Sequence, residues 1–189
     1  PALVCRFRLL LVFLKIAIIC RKRGTGPRIM FSAHMDSIGL VATHIDEKGF
    51  VHVGALGGVS AGEALYAPVR FQNGVCGLIC APEDKDKGTL KAADLLIDVG
   101  AASFEEAKKL VQVGDAAVYD TPIRGAGNRV ISPYLDNRVS CLVLLLVMER
   151  LAGADNDLYF VFSVQEEVGT RGAKTAAWAI DPEYGIAGG

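Results

Sequence analysis

The 189-residue chain has one tryptophan, three histidines and an aromatic share of only 7%. So few aromatics supply no stacking platform for sugars. Its charges almost cancel, with 20 Lys and Arg against 21 Asp and Glu, and the single dense basic stretch is "CRKRGTGPR" at 20–28. A nucleic-acid groove needs a basic stripe, so nucleic acid is excluded as a partner. Long apolar runs are scarce as well. The opening "PALVCRFRLLLVFLKIAIIC" has the arginines and apolar body of a signal or anchor segment, yet Lys15 interrupts it and no small-residue cleavage site follows. It falls short of the ~20 apolar residues of a spanning helix, so a pair of buried strands is expected there and no membrane partner. The five cysteines at 5, 20, 76, 80 and 141 are odd in number and scattered, which argues against a disulfide framework and suits a reducing cytoplasm. Cys76 and Cys80 in "CGLIC" have no second pair to complete a metal site and read as ordinary buried thiols.

What is present is alternation of element types. "KIAIICRKR" and "RIMFSAHMD" read as strands joined by a "GTGP" turn. From about 38 to 130 the texture changes to short strands separated by Gly, Asn or Asp, with "SFEEAKKLV" (103–111) as the one clear helix, N-capped by Ser103 and boxed by Glu106. After that, "DNRVSCLVLLLVMERLAG" (136–153) reads as an apolar helix closed by Gly153, "DLYFVFSVQ" as a buried strand and "AKTAAWAI" as the start of another helix. Strands and helices at both ends around a β-rich middle indicate an α/β domain interrupted by an insert. The expected division is an α/β domain of 1–45 with 129–189, and a β-rich insert of 46–128.

Polar residues gather at three strand or helix ends, where open α/β sheets place their ligands. In "SAHMDSIG", His34 and Asp36 are two apart, so in a strand they share a side and Asp36 can orient the imidazole toward a metal; the alternative is a solvated His beside a turn. In "SPYLDNRVS", Asp136 is either a helix N-cap or an ionised carboxylate able to bridge two cations. In "FVFSVQEEVGTRGAK", Glu166 and Glu167 follow an apolar run, and extended chain would aim them in opposite directions. One then binds a metal while the other handles a proton; otherwise one is solvated and the other caps the next helix.

In chain order, "AHMD", a β-rich insert, "LDNR" and "QEEVGTRGA" resemble the M42 family of metallo-aminopeptidases, the glutamyl or tetrahedral aminopeptidases, some of which have been labelled cellulases. "DEKGFVHVGALGG", "LLIDVGA" and "VGD" add to the likeness, which runs from about residue 16 to the last. The resemblance implies a three-layer, zinc-peptidase-like α/β domain interrupted by a small PDZ-like dimerisation domain. It implies two divalent ions, zinc or cobalt, with His34 binding one, Glu167 the other and Asp136 bridging them. Asp36 would orient His34, and Glu166 would be the general base. Peptides would lose N-terminal residues, and cytoplasmic homo-oligomers from dimer to dodecamer are expected.

The chain also departs from that pattern. Gly189 stands where the family has an aspartate ligand, a further family histidine lies downstream of the last residue, and Ser37 replaces the usual Glu after "HMD". The expectation is a portion of a longer protein, with two protein ligands per metal where a catalytic site has three or more. The alternatives are an impaired fragment or a non-catalytic assembly unit. A glycoside hydrolase is the remote one, because neighbouring glutamates do not face each other across a sugar.

Overall fold

The computed structural model describes residues 8–11 and 17–188. The strand expectation over 1–7 and 12–16, including Cys5 and Lys15, lies outside the described residues, as does Gly189. In chain order the elements are β1 (Arg8–Leu11), β2 (Ala17–Lys22), β3 (Arg28–His34), β4 (Gly39–Ile45), β5 (Val51–Leu56), α1 (Ala61–Ala64), β6 (Pro68–Phe71), β7 (Cys76–Cys80), β8 (Leu96–Asp98), α2 (Phe104–Leu110), β9 (Ala116–Tyr119), β10 (Arg124–Ala126), β11 (Arg129–Ile131), α3 (Leu135–Arg150), β12 (Asp157–Ser163), α4 (Arg171–Ile180) and β13 (Tyr184–Ala187). They form a mixed α/β fold of two compact units, one running up to Ser37 and resuming at Tyr134, the other Ile38–Pro133.

The first unit is built on a sheet of order β1-β2-β12-β3-β13, in which β12 and β13 run parallel to β3 while β2 is antiparallel to β12. All seven residues of β12 are buried, which is why its sequence between Asp157 and Ser163 is continuously apolar. Leu158, Phe160 and Phe162 pack with Cys141, Leu144 and Met148 of α3. Tyr159 and Val161, pointing the other way, pack with Ala176 and Ile180 of α4. Each such fully buried side chain contributes about 1.5–3 kcal/mol of transfer free energy. At the start of β12, buried Asp157 accepts a fork of hydrogen bonds from Arg21 of β2, with Nε to Oδ1 at 2.9 Å.

The turn between β2 and β3 is shaped by a close backbone approach. Thr25 and Gly26 donate their N–H groups to the Asp155 carbonyl at 2.9 and 2.8 Å. A Cβ on Gly24 would lie 2.2 Å from the Asn156 carbonyl oxygen and 2.3 Å from that of Asp155, and backbone cannot swing aside. Gly24→Ala is therefore expected to destabilise the protein by about 1–3 kcal/mol. Gly153→Ala, where an added Cβ meets nothing within 4 Å, is expected to stay within about 0.5 kcal/mol. Urea denaturation midpoints of the two variants check both.

In the second unit, β4-β5-β8-β7-β6-β9 close into a barrel around Leu40, Val51, Val69, Phe71, Ile79 and Ile97. Helix α2 begins as the sequence indicates, with Ser103 Oγ accepting from the Glu106 N–H at 3.3 Å. The returning bond of Glu106 goes one residue earlier than a standard capping box, to the N–H of Ala102.

The β-rich segment is a closed six-stranded barrel. The compact units meet at 37/38 and 133/134, where the sequence suggests 45/46 and 128/129. The reason is pairing: β4 bonds to β5 and β9 inside the barrel, and a cut at 128/129 would split the β10–β11 hairpin. Helix α3 stops at Arg150 with Leu151 as its cap, so Gly153 does not close it. Cys76, read as a buried thiol, is exposed on β7.

Candidate active site

The carboxyl ends of the parallel strands β12, β3 and β13 converge, because register pairs Ser163 with His34 and Ala187 with Ser32. His34, the last residue of β3, is 5% exposed. It lines a cleft of about 400 Å³ together with Asp136, Ser163, Glu166, Thr170 and Gly188, within the usual range for a small-ligand site.

The imidazole is held at both nitrogens. Nδ1 lies 3.1 Å from the backbone carbonyl oxygen of Asp36, and Nε2 lies 3.0 Å from Asp136 Oδ1. The Asp36 carboxylate is farther off, 3.6 Å from Nδ1. It accepts instead from the backbone N–H groups of Glu166 and Glu167, each at 3.2 Å. Asp36 thus orients His34 through its main chain and the Glu pair through its side chain. The same-side argument for His34 and Asp36 does not apply, since β3 ends at His34 and Asp36 is past the pleat.

The Glu pair is likewise not in extended chain. β12 ends at Ser163, Gln165 has φ +61°, and the Glu166 carbonyl accepts from the N–H groups of Gly169 and Thr170 at 2.9 Å each. A turn, not strand alternation, aims the two side chains. Glu166 Oε2 comes 3.9 Å from His34 Nε2. The Glu167 carboxyl is pushed above the ordinary range, first by burial and then by Asp136, Glu166 and Asp36, while His34 opposes the shift.

Asp136 and Asn137 precede the regular part of α3 with non-helical dihedrals, and the peptide bond between them is cis. Asn137, 3% exposed, caps that regular part: its Oδ1 accepts from the Ser140 N–H at 3.3 Å and its Nδ2 donates to the Gly188 carbonyl at 2.6 Å. The sequence pattern offers Asp136 as an N-cap, one residue before the cap the structure shows. Asn directly before an apolar helical run is itself the signal that locates the cap. With Asn137 capping, the Asp136 carboxylate is left to face His34.

The donor set decides whether a cation suits this place. A carbonyl oxygen only accepts, so Nδ1 of His34 carries the hydrogen and a neutral ring turns its Nε2 lone pair toward Asp136. Two acceptors 3.0 Å apart call for a proton or a metal ion between them. Imidazole nitrogen with carboxylate oxygen is a donor set for zinc or cobalt rather than for calcium or magnesium, so the residues present fit a divalent metal. No cluster of three or more His, Cys, Asp or Glu side chains arranged to hold a metal is found among the described residues. Ser37, where the family pattern has Glu, has a buried hydroxyl without a hydrogen-bond partner among the described residues.

The model of the M42 glutamyl aminopeptidases matches residues 17–188. The chain belongs to the M42 glutamyl aminopeptidase family. A protein of Acetivibrio thermocellus catalogued as a candidate aminopeptidase is 46% identical over 171 residues, covering 90% of the M42 chain and 52% of that protein. The aminopeptidase APDkam598 of the archaeon Desulfurococcus kamchatkensis superposes with a TM-score of 0.85 at 38% identity, over 95% of this chain and 52% of that one. The TET1 peptidase of Pyrococcus horikoshii, which can assemble into a tetrahedron or a large octahedral shell, gives 0.84 at 31% identity, over 98% and 60%. The M42 chain spans about half the length of the curated relatives it matches.

Proposed function

We propose that the protein is an aminopeptidase that removes N-terminal residues from peptides in the cleft at His34. The observation that carries this reading is the pairing of His34 Nε2 with Asp136 Oδ1 at 3.0 Å in a chain of the M42 family. His34, Asp136 and Glu167 would hold two divalent ions, zinc or cobalt, with Asp136 shared between them. When bound, such ions polarise the scissile carbonyl and acidify a water. Glu166, as general base, takes the proton of the attacking water and delivers it to the departing amine. Asp36 keeps both glutamates in place by gripping their N–H groups, and the N–H of Nδ1 on its carbonyl holds the Nε2 lone pair of His34 toward the cleft.

The same reading makes the first unit a three-layer catalytic domain, supported by the opposite packing of α3 and α4 on β12. The barrel would be an inserted dimerisation domain building homo-oligomers, from dimers up to dodecamers. No helix among the described residues is long and apolar enough to cross a membrane. The described cysteines are all free, which favours a cytoplasmic site of action.

A second reading, a non-catalytic assembly unit, draws on the lack of a three-donor cluster among the described residues. Chelator dialysis followed by zinc or cobalt add-back, assayed with aminoacyl chromogenic substrates, separates the two. Activity lost on chelation and restored by either metal is the expected result. Release that never appears with any metal would overturn the enzymatic reading.

A further inference from the structure

The chain has three histidines, and the two outside the cleft face each other on the barrel. His44 of β4 and His52 of β5 are direct cross-strand partners, with ring centroids 5.4 Å apart. Simple alternation would not produce this. Ala42 is buried in the barrel core, so His44, two residues on, would follow it inward. A register shift between Ala42 and His44 breaks the alternation, leaving Thr43 and His44 both exposed before Ile45 turns back into the core. Bulges of this kind re-aim a side chain, and here the one re-aimed lands beside the other imidazole.

His52 is also oriented from behind. Its Nε2 lies 3.3 Å from Asp46 Oδ2, and a carboxylate only accepts, so the hydrogen sits on Nε2 and the Nδ1 lone pair is open. A carboxylate behind an imidazole sets the tautomer and raises the basicity of metal-binding histidines. Neither ring nitrogen of His44 is engaged in a hydrogen bond among the described residues. The spacing agrees: two imidazoles on one tetrahedral ion, with bonds of ~2.0–2.1 Å, have centroids about 5 Å apart.

We propose that His44 and His52 form a two-imidazole surface site for a borderline transition cation, Cu²⁺, Ni²⁺ or Zn²⁺, with Asp46 as the positioning residue and solvent completing the coordination. The site is separate from the cleft at His34 and does not depend on the aminopeptidase reading. Among these ions Cu²⁺ binds most tightly, so it is the probe of choice.

The test is a Cu²⁺ titration read by electron paramagnetic resonance, using His34→Ala as the background so that the only remaining imidazoles are on the barrel. One Cu²⁺ per chain with hyperfine structure from two imidazole nitrogens is expected. Adding His44→Ala or His52→Ala should each weaken binding about tenfold or more, because either change removes the chelate, and should leave at most one imidazole nitrogen. Asp46→Asn should weaken binding less than either. Two independent weak ions per chain, or unchanged affinity in either double variant, would overturn the site. If His34→Ala does not fold, His44→Ala and His52→Ala are compared directly with the unmodified protein. Loss of the two-nitrogen signal in both supports the site, and its persistence in either refutes it.

Discussion

Glu166→Gln is expected to lower turnover of an aminoacyl substrate by about 10²–10⁴-fold, the usual contribution of a positioned general base. The substitution keeps size and hydrogen-bonding capacity but removes the ability to take a proton. It leaves the grip of Asp36 intact, because Asp36 holds Glu166 by the main-chain N–H. Metal uptake and melting temperature should therefore stay close to those of the unmodified protein. Glu167→Gln should behave differently, weakening metal uptake along with activity. Single-turnover assays with zinc-binding titrations on both variants distinguish the roles. A Glu166→Gln protein with full turnover would remove Glu166 from the reaction, and equal metal loss in both variants would mean that the two glutamates share one task.

The largest stability effect is expected at the far end of the same sheet. Arg21→Met should cost about 3 kcal/mol, because it strands the buried carboxylate of Asp157 without its partner. Asp157 is 5% exposed, and without Arg21 it keeps the Tyr159 hydroxyl, which donates to Oδ2 at 3.2 Å, and the backbone N–H of Gly24, neither of which is charged. The guanidinium also stacks 5.0 Å from the Tyr159 ring centroid, a contact that methionine replaces only in part. The hydrogen bonds from Arg21 hold the Asp157 carboxyl below the ordinary range, against the opposing effect of burial. A carboxyl lowered on folding adds stability above its unfolded value of about 3.9 and loses it as pH falls through the lower folded value. The gap between the unmodified and Arg21→Met proteins should thus be full at neutral pH, narrow below about pH 4, and close only as pH falls through the lowered folded value of Asp157. Denaturation curves at pH 7 and pH 3.5 measure the full gap and the onset of its narrowing. A gap that does not change with pH would mean that packing of the arginine stem, not charge, sets the cost.

The strands were legible because their signals are local. The five-residue apolar run 158–162 of β12 reads as a strand buried on both faces, and it is. Ser103 three residues before Glu106 marked the start of α2, since a cap is a contact within one turn. Of the residues in the motifs "AHMD", "LDNR" and "QEE", His34, Asp136 and Glu166 line one cleft, and Asp36 joins them through hydrogen bonds to His34 and the Glu166 N–H. Arg21 with Asp157 is the counterexample: 136 positions separate them, and only the register of β2 against β12 brings the fork onto the carboxylate.

Sequence by itself determined the element types, the family and the identity of the polar residues around His34. Tertiary structure decided how those residues are used. Asp36 lies beyond the end of β3, so it meets His34 through its carbonyl and the glutamates through its carboxylate. The adjacent glutamates are aimed by a turn that the positive φ of Gln165 begins, and Asn137 takes the cap that frees Asp136. Barrel closure and the bulge that turns His44 outward also depend on pairing between distant strands. Periodicity reports which way a side chain points only while the pleat lasts, and His34, Asp36 and His44 sit where the pleat ends or slips.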